Sequence, residues 1–229
     1  MDYNQTVSSL PSATADPQHR VLRNTYALLA LSMIPTVIGA LLGTTLGVSL
    51  MVGSPVMSML IFFGVTFGLM YGIQRTKDSG MGVVLLLAFT FFMGLMLGPL
   101  LHYALGFSNG GSLIAVAAGG TGVMFVTLAS IATTSKRDFS KLGGFLFAGL
   151  ILLVVAGIAN MFLHLPALSL ALSVGAIFIF SAMILFDIQR IVQGGETNYI
   201  TATLSVYLDV YNIFVNLLQL LLAFSGDRD

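Results

Sequence analysis

Ala202-Thr-Leu-Ser205-Val-Tyr-Leu-Asp209-Val-Tyr-Asn212-Ile-Phe-Val-Asn216-Leu-Leu-Gln219-Leu-Leu-Leu-Ala-Phe224 is the stretch that decides the fold. It holds no lysine or arginine and is apolar at most positions. As a helix it runs about 35 Å, enough to cross a hydrocarbon layer of ~30 Å. Ser205, Asp209, Asn212, Asn216 and Gln219 recur at steps of four, three, four and three, which places them on one face of that helix. A polar stripe cannot face lipid. It must face neighbouring helices or water. Two roles stay open for it: interhelical hydrogen bonding, or a polar path leading outward from Asp209.

Six more stretches of this kind precede it. They cover roughly 25–52, 56–74, 81–103, 112–134, 144–164 and 166–189. The breaks are turn-rich or charged: Gly53-Ser54-Pro55, Arg75 to Gly80, Gly106 to Gly111, Ser135 to Gly143, Pro166, and Gly194 to Thr201. Composition agrees. Apolar types make up 57% of the chain and charged types 8%, against the ~25% charged of an ordinary soluble domain. Too few polar residues remain to cover a water-facing surface, so the solvent must be apolar. The expected fold is all-α and integral to the membrane, with seven transmembrane helices in one domain over 21–229. Residues 1–20 read as a disordered tail, polar and without the apolar core of a signal peptide. A net charge of zero excludes a nucleic-acid partner, and the absence of cysteine excludes disulfides and thiolate metal sites. There is no tryptophan, so tyrosine is left to mark the membrane interfaces. Gly39, Gly43 and Gly47, with the pairs Gly64/Gly68 and Gly94/Gly98, are small-residue faces on which helices approach closely.

Orientation follows from the basic residues. Arg20, Arg23, Arg75, Lys77, Lys136, Arg137, Lys141 and Arg190 fall on one side of a seven-span chain, and Arg228 alone on the other. That bias places the N-terminus in the cytoplasm and the C-terminus outside, in a periplasm or beyond the cell.

Among the spans, only the last two carry carboxylates. Asp187 lies seven residues before Gly194, and Asp209 lies eight after Thr201. On antiparallel neighbours both fall about 10–12 Å from the same turn, so the spacing lets them meet. A carboxylate at membrane depth costs about 2.5–3.5 kcal/mol even on mild scales. Two in contact cannot both ionise cheaply and titrate as a coupled unit. Such a pair shares a proton or holds a hard cation such as Ca²⁺ between its oxygens, and the two compete. The plainer alternative for Asp187 is a local pair with Arg190. His102 and His164 sit at span ends, and His19 in the tail, with no metal-ligand spacing.

Three further stretches carry a resemblance: His19-Arg-Val-Leu-Arg-Asn-Thr-Tyr26; Lys136-Arg-Asp-Phe-Ser140; and Gly194-Gly-Glu-Thr-Asn-Tyr-Ile200 with Tyr211-Asn-Ile-Phe-Val215. Over about 19–224 the chain resembles the Bax-inhibitor-1 family, and most closely its bacterial YccA-like branch. The resemblance implies six helices wrapped around a central seventh. It implies a pH-sensitive calcium leak of the bacterial inner membrane, gated by a di-aspartyl sensor onto which Asp187 and Asp209 map. Arg75 maps onto the basic residue that engages the sensor. No cofactor is required; calcium is the bound or transported ion. The branch implies a second role, as substrate and modulator of the membrane protease FtsH, engaged through the N-terminal tail. The second span lacks the acidic residue that some leak members carry, a departure that bears on calcium selectivity.

An intramembrane aspartyl protease stays a minor alternative, and a retinal protein is excluded. An intramembrane aspartyl protease resembles Gly-x-Gly-Asp at its second aspartate, whereas Val206-Tyr207-Leu208 precede Asp209, and Pro166-Ala-Leu168 precedes rather than follows both aspartates. A retinal protein needs a lysine in its seventh span, and 202–224 has none. The chain is read as a non-enzyme.

Overall fold

Asn198 starts the last helix. Its side-chain oxygen accepts from the backbone N–H of Ile200 (2.9 Å) and Thr201 (3.2 Å), filling two of the donors a helix leaves open at its start. In the computed structural model, which describes residues 17–51, 55–135 and 137–226, that helix is the last of seven. They are α1 (Pro17–Met51), α2 (Pro55–Thr76), α3 (Gly80–Leu105), α4 (Gly110–Thr134), α5 (Gly143–Leu163), α6 (Pro166–Val192) and α7 (Tyr199–Ser225). A 3₁₀ turn, Ser140–Leu142, precedes α5. No strand occurs among the described residues. Six helices are long and apolar enough, by length and composition, to cross a membrane. The other is α2, whose 22 residues reach about 33 Å. The break at Gly53-Ser54, most of the N-terminal tail, Lys136 and Arg228 lie outside the described residues.

α7 is the central element. It packs directly against α1, α2, α3, α4 and α6. α5 does not reach it and leans on α6 instead. The ring around α7 is therefore five helices deep-set and one set back, rather than six equal neighbours.

The tightest seam joins α1 to α3, and its cause is glycine. A methyl on Gly43 would lie 3.0 Å from Gly98 Cα, and one on Gly94 would lie 2.9 Å from the Thr36 carbonyl carbon. Both neighbours are backbone, so only glycine allows this approach. Gly39 meets α3 in the same way, beside the Leu95 nitrogen. Gly64 and Gly68 do not serve this purpose within the chain, since nothing stands within 4 Å of a methyl on either. Their face of α2 turns away from the bundle. The side chain face at Gly47 falls outside the described residues.

Polar knots fasten the seam to α7. The Thr36 hydroxyl lies 2.9 Å from the Tyr207 hydroxyl and donates to the Thr90 carbonyl at 3.2 Å. Tyr211 donates to the Met93 carbonyl at 3.2 Å. Tyr207 is only 1% exposed, so this tyrosine is a core residue and not the interfacial marker that the lack of tryptophan suggested. Among the described residues, Tyr71 and Tyr103 are the exposed tyrosines.

Candidate functional site

Asp209 projects from the buried face of α7, ten residues into the helix, between fully buried Val206 and Ile213. α6 runs antiparallel beside it and supplies Ile184 and Ile188, also fully buried, on either side of Asp187. The connection is short enough to hold both helices in register. Gly194 takes a left-handed φ of 77°, and the Gly195 and Glu196 amides donate to the Arg190 carbonyl (2.8 and 3.2 Å). Glu196 then accepts from the Asn198 amide at 2.9 Å, and Asn198 caps α7. Asn198 also donates to the Lys77 carbonyl and the Asp78 carboxylate, both at 2.9 Å, which ties the turn to the α2–α3 connection.

The result is a carboxyl pair. The Asp187 and Asp209 side chains lie next to each other. Ionised carboxylates only accept, so a hydrogen bond between the two requires a proton on one of them. Asp209 is 1% exposed, and among the described residues its Oδ2 has no hydrogen-bond partner. Asp187 is half-buried and faces the charges of Arg190 and Glu196. Arg190 is itself split between the Gly195 carbonyl (3.3 Å) and Glu196 (4.0 Å). Among the described residues Arg190 forms no ion pair with Asp187; it pairs with Glu196 and acts on Asp187 only as a nearby charge.

Arg75 is placed elsewhere. Its Nε donates to the Tyr71 hydroxyl at 2.9 Å and its guanidinium stacks 5.2 Å over that ring, on the exposed face of α2. The i−4 aromatic on its own helix captures it, and Arg190 is the arginine that acts on Asp187. The polar stripe divides. Ser205 is exposed. Asn212 and Asn216 are half-buried and donate to carbonyls one turn back in α7, Leu208 and Asn212, at 2.8 Å each. Gln219 crosses to α6, accepting from Ser173 at 3.2 Å. Among the described residues no three histidine or carboxylate groups gather. A cation at the pair would find carboxyl oxygens from Asp187 and Asp209 only and would complete its six to eight ligands with water or backbone. The unpartnered Oδ2 of Asp209 is an available first ligand.

Several residues of the site carry weak sequence signals. Asn198 stands where a capping residue precedes an apolar run, a readable pattern. Its second task, holding the Asp78 turn, joins residues 120 apart and has no local signature. The same holds for Gln189, which bonds the Phe139 amide and the Arg137 carbonyl.

The sequence profile described as "Inhibitor of apoptosis-promoting Bax1" matches residues 18–226. The chain belongs to the Bax-inhibitor-1 family. It is 43% identical over 203 residues to an Escherichia coli K12 protein named modulator of FtsH protease YccA, covering 89% of this chain and 90% of that one. An uncharacterized membrane protein of Vibrio cholerae is 40% identical over 203 residues (89% of each chain). An uncharacterized protein of Neisseria meningitidis is 36% identical over 212 residues (92% and 93%). With its apolar helices, this member of the Bax-inhibitor-1 family is a multi-pass membrane protein of the YccA-like kind.

Proposed function

We propose that this protein is a proton-linked cation leak of the bacterial inner membrane, with Asp187 and Asp209 as its gate and calcium as the ion. The observation that carries the reading is the buried apposition of the Asp187 and Asp209 carboxyls between α6 and α7, with Asp209 Oδ2 lacking a hydrogen-bond partner among the described residues. While the pair shares a proton, the bond clasps the two helices together. Loss of that proton sets two negative charges against each other in a medium of low dielectric, which is relieved by helix separation or by a cation. Proton and cation therefore compete for the same oxygens, and lower pH weakens the cation's hold. Arg190, beside Asp187, is the electrostatic partner in this arrangement; Arg75 is not needed for it. The reading is not enzymatic. The eight-to-one distribution of basic residues supports a cytoplasmic N-terminus, with the pair nearer that side.

The test is Ca²⁺ flux into proteoliposomes between about pH 5 and 8, since two carboxyls in contact titrate as a coupled unit. Wild-type flux should depend on pH, and Asp187→Asn/Asp209→Asn should lose that dependence. Absence of flux at every pH sinks the leak reading.

A second reading has its own support: the 43% identical relative is named a modulator of FtsH protease. Here the protein binds an FtsH-type membrane protease through its tail, residues 1–20. Deleting residues 2–18 should abolish co-purification with the protease and leave Ca²⁺ flux unchanged. Retained co-purification would remove the tail from the interaction.

A further inference from the structure

At the end of the bundle opposite the Arg190 turn, α5 stands off from α7, and the space between them is not filled. A cavity of about 750 Å³ opens there. Asn160, His164, Ser169, Ser173 and Gln219 contribute its polar wall. This wall contrasts with the rest of the surface at the same helices. Where α5 and α6 face outward, the exposed residues include Phe145, Phe147, Leu152, Phe162, Val174 and Phe178. Met161, Leu165 and Leu170 also line the space, so its wall is mixed, with the polar groups gathered where the outer face of the same helices has none. Irregular backbone and polar groups at membrane depth are tolerated where they line water, not where they meet acyl chains. The left-handed His164 and the Leu165 amide, which donates to Asn160 Oδ1 at 3.1 Å, form such an irregular rim. The volume is far above the ~15 Å³ that one water needs.

The floor of the cavity is the hydrogen bond from Ser173 to Gln219, about 10 Å below the α5–α6 turn by helical rise. Ser173 is buried and Gln219 is exposed to the cavity. Gln219 is the last member of the α7 stripe, and Asn216, Asn212 and Asp209 follow it inward. On α6, between Ser173 and Asp187, Ser181 keeps its hydroxyl buried without any partner among the described residues. Hydroxyls elsewhere in these helices bond a carbonyl one turn back, as Ser32, Thr121 and Ser130 do.

We infer that this cavity is a water-filled vestibule that admits hydrated cations, and that the Ser173–Gln219 hydrogen bond is the constriction between it and the carboxyl pair. The route to the pair rests on the leak reading; the water content of the cavity does not. A lipid acyl chain is the rival occupant.

The chain contains no cysteine, so single cysteines report cleanly. Gln219→Cys and Ser169→Cys would be compared with Val174→Cys and Phe178→Cys in the full-length protein in liposomes. Val174 adjoins Ser173 at the same depth but faces outward. A charged, membrane-impermeant methanethiosulfonate should modify Gln219→Cys and Ser169→Cys faster than the two outward-facing variants by about an order of magnitude or more, because ionised reagents are excluded from hydrocarbon. Equally slow labelling of all four would overturn the vestibule and leave the cavity to lipid, whatever the flux. Attaching a cationic group at Gln219→Cys should then cut Ca²⁺ flux several-fold more than attaching an anionic group of similar size. If the wild type leaks and labelled Gln219→Cys leaks equally with either group, the cavity is not the entrance, and the leak reading survives without it. If neither wild type nor Gln219→Cys leaks, the route is overturned together with the leak, while the labelling contrast still decides whether the cavity is wet.

Discussion

Replacing Gly94 by alanine should loosen the centre of the protein, although the change adds one methyl group. The new Cβ would lie 2.9 Å from the Thr36 carbonyl carbon and 3.0 Å from its Cα, with the carbonyl oxygen nearer still; ordinary contact begins at 3.4 Å. Backbone cannot rotate aside, so α1 must retreat from α3 by roughly an ångström, and overpacking of this kind costs about 1–3 kcal/mol. Thr36 is also the hub of a knot. Its hydroxyl reaches Tyr207 at 2.9 Å and the Thr90 carbonyl at 3.2 Å, and the same retreat carries the second contact beyond hydrogen-bonding range. A hydrogen bond between membrane helices contributes about 0.6 kcal/mol on average. The helix preference of alanine returns up to ~1 kcal/mol. The net expectation is a loss of about 1–3 kcal/mol. Gly64→Ala is the matched control, because nothing stands within 4 Å of its added methyl. It should be neutral or gain up to ~1 kcal/mol. Thermal unfolding of both variants in one detergent is the assay. At about 2–4 °C per kcal/mol for a chain of this size, the two should differ by roughly 5–10 °C. Gly94→Ala melting at or above Gly64→Ala would refute the reasoning from close backbone approach.

Three other outcomes follow from the site. Asp209→Asn should end the pH dependence of Ca²⁺ flux measured in proteoliposomes while the protein stays folded, since an amide keeps the shape but carries no titrating proton; unchanged pH dependence would place the sensor elsewhere. Arg190→Ala should shift the pH midpoint of that flux and Arg75→Ala should not, because only Arg190 faces Asp187; a shift from Arg75→Ala alone would reverse the assignment. Asn198→Ala removes a helix cap and two bonds to the Lys77–Asp78 turn, so it should cost about 1–2 kcal/mol, read as a lower melting temperature in detergent; an unchanged melting temperature would show the clamp to be dispensable.

Periodicity and composition determined the membrane solvent, the seven helices and the depth of the two carboxylates, because these depend on runs of side chains within one element and on helical rise. The turn at Gly194 set Asp187 and Asp209 at matching depths, which lets them meet but leaves their helices' rotation open. What the sequence could not decide was rotation and long-range choice of partner. Gly94/Gly98 and Gly64/Gly68 read alike as small-residue pairs, yet one pair seats α3 against α1 and the other faces away. Tyrosine as a type reads as interfacial, yet Tyr207 is the largest fully buried side chain among the described residues. Arg75 reads as a partner of the carboxyl pair but is held by Tyr71, one turn away on its own helix. Ser173 carries no signal until α6 and α7 are packed and Gln219 reaches it. In each case the choice lies in which face of a helix turns inward, a property of the assembled bundle, where backbone contact, hydrogen bonding and lipid compete for the same surface.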